Sequence, residues 1–327
     1  MRENELDNII RIISSIKIPE EHKDNVFWAP RVISKSPKRY PGFTLYAYGG
    51  AAISLYHRSD NTDYGSPFDD KYCKHFTDEN EGNRIKNDFM KKMRESGIAF
   101  LETWEQWNKI CEAMKRRSEG EGENSKNKVY VERKRENRIA NNNSDYDGKK
   151  EVFDMEACTR INEIVAKADL MWINSEGEHP VISFVEYKCT NGAMVGSDYS
   201  LPGHFKKMVE YYNKPEVMKS VEILLNQKRM LNGQSSVNLD NAGSEIVFLF
   251  SHVNNGLNEG YIKNRLWDMY SENKNEFEKN KKNVILAVIK DENESLESMK
   301  MIRGDKIDFS SKEKMWAGVK KTLLKEK

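Results

Sequence analysis

Apolar residues recur along this chain with two periods, one helical and one extended. Leu6, Ile9, Ile10 and Ile13 fall at i, i+3, i+4 and i+7, a single helix face that Pro19 ends. Ile85, Phe89 and Met93 mark one side of a second helix over 84–95. Phe100, Trp104, Trp107, Cys111 and Met114 repeat every three or four residues and predict a third over 98–117. This aromatic stripe reads first as a buried helix face and second as a stacking platform for bases.

Short apolar runs predict strands. One covers 43–48, after which Gly49-Gly50 turn the chain into 51–56. Two more, 168–173 and 181–188, are joined by a polar turn bearing Gly177 and Pro180, as in a hairpin. Continuous runs at 246–250 and 284–289 suit central strands covered on both faces. Between and after them, helical spacing places Phe205, Met208, Val209 and Tyr212 on one face. Val217, Val221, Leu224, Leu225 and Leu231 follow Pro215; Ile262, Leu266, Trp267 and Met269 lie within 258–277; Met315, Val319 and Leu323 close the series. The segment 152–165 fits a helix, but 158–161 within it equally fits a strand paired with the 168–173 run. Helices alternating with buried strands predict an α/β fold, a mixed central sheet flanked by helices, behind a mainly helical N-terminal region.

Composition divides the chain. Across 118–150 Gly, Asn, Ser, Lys and Glu dominate without apolar period, which predicts a polar linker or mobile loops around a short strand at 129–131. The expected organisation is an accessory, substrate-binding region over 1–117, the linker over 118–150, and the main domain over 151–327.

Lys plus Arg number 53 and Asp plus Glu 52, so net charge gives no global attraction to a polyanion. Locally, 115–138 holds nine basic and five acidic residues, a phosphate-contacting patch or a solvated loop. Four cysteines, at 73, 111, 158 and 189, match no metal-binding spacing and read as free thiols of a reducing compartment. Acidic residues near the start (Glu3, Glu5, Asp7), with no apolar stretch after a basic one, argue against a signal peptide. No apolar run approaches the ~18 residues of a membrane span, so a cytoplasmic location away from membranes is expected.

The chemistry concentrates between 168 and 190. Asp169 interrupts one apolar run; Glu186 and Lys188 end the next. Strand alternation puts Glu186 and Lys188 on one face and Tyr187 on the other, and a neighbouring strand could bring Asp169 to the same face. Two carboxylates sharing a site are hard ligands suited to Mg²⁺, with Mn²⁺ as an alternative. Such a metal lowers the pKa of a bound water, and a nearby ammonium stabilises charge building on a phosphate.

Asp169 followed by Glu186-Tyr187-Lys188 on an apolar strand resembles the PD-(D/E)XK nuclease superfamily, with Ala168 where the family name has Pro. The resemblance covers about 152–289. It implies a restriction-endonuclease-like αβββαβ core, Asp169 and Glu186 as metal ligands, Lys188 as the catalytic lysine, and Mg²⁺-dependent cleavage of phosphodiester bonds. It also implies an upstream helical Glu near the metal. Glu156 and Glu163 are candidates if 152–165 is helical, Glu102 and Glu105 if the helix is the earlier one. Some branches carry Gln-x-x-x-Tyr on the next helix, where Lys207 and Tyr211 hold that spacing here. His204, Lys207 and Tyr211 share a face opposite Phe205 and Met208, from which one could reach the site or a phosphate.

A second stretch, Tyr48 to Leu55 with Gly49-Gly50, followed by Thr62-Asp63, is similar to the strand–GG–helix entrance of nucleotidyltransferases. Those enzymes pair two acids, and Gly65 stands where the second would be; the competing reading is a structural turn between strand and helix. The expected function is a metal-dependent endonuclease acting on DNA, of restriction type by analogy of fold, with a homodimer as a common arrangement. The alternative is a non-catalytic nucleic-acid-binding or assembly protein that keeps the fold.

Overall fold

A computed structural model describes residues 6–35, 38–58, 60, 62–119, 128–144, 150–161, 164–189, 200–251, 257–290 and 295–324, with backbone alone at 33–35, 38–39, 128–131, 157–161 and 164–166. The chain forms two compact units. One comprises Met1–Asn141 with Leu224–Ser236; the other comprises Asn142–Ile223 with Val237–Lys327.

The first unit is built on a four-stranded antiparallel sheet in the order β1 (Val26–Lys35), β2 (Lys38–Ala47), β3 (Gly50–His57), β4 (Asp63–Pro67). Phe43, Leu45, Ile53 and Leu55 bury one face of this sheet. They share a core with Ile9, Ile12 and Ile13 of α1 (Asp7–Ser15), Ile85, Phe89 and Met93 of α2 (Glu79–Ser96), and Ile110 and Met114 of α3 (Trp107–Glu119). The aromatic stripe is core: Phe89–Trp104 and Trp104–Trp107 meet edge to face at 5.3 and 5.4 Å, contacts worth about 0.5–1.5 kcal/mol each beyond area burial. The sheet corrects the expectation of a mainly helical N-terminal region. Pro30 within β1, and Gly65 and Pro67 within the short polar β4, hid those strands from a periodicity reading. The expected helix over 98–117 is also divided, because α2 ends at Gly97 with φ +60 and a 3₁₀ turn, Gly97–Glu102, precedes α3.

Residues 128–142 form a helix, α4 (Lys128–Asn142), where a linker with a short strand was expected. Helix-favouring Glu, Lys, Arg and Ala carry it, and burial of Ile139 and Ala140 anchors its last turns, so a weak apolar period still gives a helix. Glu132 and Glu136, one turn apart on α4, are buried. The boundary between the units accordingly falls at 141/142, and not on either side of a linker spanning 118–150.

The second unit holds a six-stranded sheet in the order β10-β9-β8-β7-β6-β5. β5 (Lys150–Ile161), β6 (Ile164–Asn174) and β7 (Val181–Lys188) are successive antiparallel strands. β8 (Gly243–Ser251) and β9 (Val284–Ile289) then add in parallel, and β10 (Lys300–Arg303) closes the edge antiparallel. Of the two readings open for 152–165, the strand is the one present over 152–161 and 164–165. The mixed α/β class is present. Between β7 and β8 lie α5 (Leu201–Val209) and α6 (Pro215–Leu231); the residues of α6 from Leu224 onward belong to the first unit. The Ser200 hydroxyl caps α5 by accepting from the Gly203 N–H at 3.3 Å. Phe205 of α5 packs on Phe248 of β8, and Phe184 of β7 on Tyr211, with ring centroids 6.4 and 5.6 Å apart. Burying side chains of this size stabilises by about 1.5–3 kcal/mol each.

The expected helix over 258–277 is two, α7 (Glu259–Glu272) and α8 (Lys274–Asn280), because Asn273 leaves the helical region at φ −121. The last helix is α9 (Lys312–Val319). Among the described residues no helix is long and apolar enough to cross a membrane. Cys73, Cys111 and Cys189 are buried; the side chain of Cys158 lies outside the described residues.

Candidate active site

β7 is buried along nearly its whole length, and its alternation sends residues 184, 186 and 188 to one face. Tyr187 goes into the core on the other. α5 covers the first face, so Glu186 and Lys188 lie between sheet and helix, only 2% and 5% exposed. Charges at such depth persist only when paired.

Both are paired here. Lys188 Nζ is 2.5 Å from Glu186 Oε1, and His204 Nδ1, from α5, is 2.8 Å from Glu186 Oε2. Lys188 Nζ also donates to the Tyr187 carbonyl at 2.8 Å and stands 3.5 Å from Asp169 Oδ2. Burial pushes the Glu186 carboxyl up, but the Lys188 ammonium and the His204 contact outweigh it. Glu186 is held well below the usual carboxylate range, and is therefore ionised.

Asp169 meets this pair from β6. The β6–β7 ladder pairs Leu170 with Val185, so one step further Asp169 faces Glu186. The ladder stops there, and Asp169 Oδ2 accepts the Tyr187 N–H at 2.8 Å. A quarter of the Asp169 side chain remains exposed, which leaves the carboxylate reachable from solvent. Asp169, Glu186 and Lys188, the residues singled out in the sequence, thus converge.

Glu156 stands on the same rung of the sheet. The β5–β6 ladder pairs Met155 with Leu170 and Ala157 with Ala168, so Glu156 lies across from Asp169, and that pair drops out of the ladder. Its φ of +50 is in the left-handed region, rare for a residue with a side chain and costing roughly 1–3 kcal/mol. Of the two readings open for this segment, antiparallel pairing with β6 makes 150–161 a strand, so Glu156 does not lie on a helix.

The other candidates separate. Glu163 lies outside the described residues. Glu102 is ion-paired with Arg11 in the first unit, and Glu105 there is exposed. Lys207 is exposed, whereas the Tyr211 hydroxyl donates to the Lys167 carbonyl. Of the face named on α5, His204 is the residue that touches the acidic pair. Its place on the face opposite Phe205 and Met208 was its signal in the sequence.

The strand–GG–helix similarity does not hold. Tyr48 and Gly49, at φ +49 and +74, make a tight turn between antiparallel strands, and the element after Gly50 is a strand. Asp63 is engaged by His57 at 2.9 Å.

Chemically, the site offers carboxylate oxygens from two strands beside one ammonium, a hard-oxygen donor set open to solvent at Asp169. Comparison with protein-family models, curated proteins and solved structures finds no match for this chain.

Proposed function

We propose that the protein is a metal-dependent nuclease that hydrolyses phosphodiester bonds of DNA, an endonuclease of restriction type by analogy of fold. The observation that carries this reading is the convergence of Asp169, Glu186 and Lys188 at one end of otherwise apolar strands. Chain order supports it: α4, β5, β6, β7, α5 and β8 follow the αβββαβ sequence of the PD-(D/E)XK superfamily. Glu132 and Glu136 occupy the helix that comes first in that order.

Asp169 and Glu186 are the residues that would hold Mg²⁺, or Mn²⁺ in its place, and their carboxylate oxygens fit a hard cation. The metal, when bound, polarises a phosphate and supplies a water of lowered pKa. The chain does the rest. Lys188 places a positive charge where negative charge builds on the phosphate. His204 fixes the rotamer of Glu186 from the opposite oxygen. The Tyr187 N–H orients Asp169, and the apolar neighbours on β7 and β8 keep bulk water from the buried side of the pair.

A second reading is a nucleic-acid-binding protein that keeps the fold without its chemistry. One observation favours it: both oxygens of Glu186 are already engaged, by Lys188 and by His204. Incubation of plasmid DNA and of RNA with the protein and Mg²⁺ separates the two. The nuclease reading expects cleavage that Asp169→Ala and Lys188→Ala both abolish. Cleavage untouched by both substitutions removes the assigned site, and binding without any cleavage selects the second reading.

A further inference from the structure

Away from the acidic pair, the first unit contains a cavity of about 200 Å³ lined by Lys71, Tyr72, Lys74, His75, Arg117 and Arg133. Among the described residues its lining includes no carboxylate. Asp69 pairs with Lys71, its Oδ2 2.9 Å from Lys71 Nζ. We propose that this cavity is a phosphate-binding site.

The fold goes to some length to bring these cations together. Arg117, in the last turn of α3, is only 4% exposed, and its guanidinium lies 4.8 Å from the centre of the Tyr72 ring. Room for it comes from Gly50: a Cβ there would fall 2.9 Å from Arg117 Nη1. Arg133 is positioned by the neighbouring glycine. A Cβ on Gly49 would meet the Arg133 backbone at 2.4 Å, so the β2–β3 turn admits α4 only because it has no side chain. The Gly-Gly pair that sequence alone aligned with nucleotide chemistry therefore seats two arginines. Lys71, Lys74 and His75 come from a single 3₁₀ turn, Asp70–His75. Arg116, next to Arg117, is committed elsewhere: its Nε donates to the His75 carbonyl at 2.7 Å and so ties α3 to that turn.

Basic side chains set around one concavity make the potential there positive, which attracts an anion that enters it. His75 shows the field. Burial, and then the charges of Lys74, Arg117 and Arg116, lower its pKa from the ordinary imidazole value. The size of the cavity narrows the anion. Pockets for whole small-molecule ligands run to about 300–1,000 Å³, and a water occupies roughly 30 Å³. The space suits one phosphate group with a few waters and is too small for a nucleotide. Arginine supplies the bidentate fork that phosphate oxygens match, and the lysines supply point charge. The basic surplus over 115–138 is thus resolved into particular roles, with Arg117 and Arg133 at the cavity and Lys134 3.8 Å from Glu119.

The phosphate could belong to a polynucleotide backbone or be free in solution, and the test has an arm for each. Full-length protein in EDTA, which removes any divalent-metal contribution, is titrated with inorganic phosphate and separately with a short DNA oligomer over a range of salt. The variants are Lys74→Ala/Arg133→Ala, at the open side of the cavity, and Arg117→Lys, which keeps the charge and loses the fork. Thermal unfolding checks that each is folded. Weakening of either titration by about tenfold or more, as expected for loss of charged hydrogen bonds, supports the site and identifies the source by the arm affected. For the oligomer arm, the salt slope falls by about one for every backbone phosphate that a variant no longer neutralises. Folded variants that bind both probes as wild type does, or wild type that binds neither, overturn the proposal. Because no metal is present, this outcome is independent of whether the protein cleaves DNA.

Discussion

Asp169 takes, through its carboxylate, the hydrogen bond from the Tyr187 N–H that a partner strand's carbonyl would otherwise receive. One side chain thereby ends the β6–β7 ladder and delivers an acid to Glu186 and Lys188. Asp169→Asn keeps an acceptor oxygen and removes the charge; Asp169→Ala removes both. The Ala variant is expected to lose about 1–3 kcal/mol of stability through the unsatisfied N–H, and the Asn variant less than half of that, measured by urea unfolding. Equal losses would show that the hydrogen bond contributes nothing.

Lys188 and Glu186 form a buried pair, so removing one member is worse than removing both. Lys188→Met leaves the Glu186 carboxylate enclosed without its ammonium and is expected to cost about 3–5 kcal/mol. Adding Glu186→Gln to that background should restore much of the loss. A double-mutant cycle in urea that gives simple additivity would contradict the pairing.

Cys111 and Tyr48, both in the first unit, make stability sensitive to alkaline pH. Burial, with smaller contributions from Glu112 and Glu21, pushes the Cys111 thiol up to about 12, and burial likewise pushes the Tyr48 hydroxyl up to about 12. A raised folded-state pKa means stability that is complete below the unfolded value and declines as pH rises toward the folded one. For Cys111 the decline begins near the free-thiol value, ~8.5, and runs to about 12. Unfolding free energy is expected to fall between these limits with a contribution of up to ~1.4 kcal/mol per pH unit from this thiol. Cys111→Ala should flatten that slope, whatever it does to stability at neutral pH. An unchanged slope would mean that the thiol is not protected.

Much of the second unit was legible because its strands are unambiguous. The apolar runs ending in Glu186 and Lys188, and those at 246–250 and 284–289, read as buried strands, and two charges ending such a strand point to a site. The N-terminal sheet was harder, since Pro30 and Pro41 break its alternation and β4 carries Gly65. α4 escaped because its helix rests on propensity and one buried turn, so its acids, Glu132 and Glu136, were never weighed. The setting of Glu156 stayed open because 152–165 fits both periods; pairing with β6 places it on a strand, which no local pattern contains. The cationic cavity depends on glycines at 49 and 50 meeting α3 and α4, elements far from them in the chain.

The central claim is tested most directly by plasmid cleavage with full-length protein and saturating Mg²⁺, comparing wild type with folded Asp169→Asn and Lys188→Met. The expected result is conversion of supercoiled to nicked or linear DNA by wild type, stopped by EDTA and slowed at least about a hundredfold by either substitution. Cleavage at the wild-type rate by both variants, or no cleavage by wild type with Mg²⁺ or Mn²⁺, would contradict it.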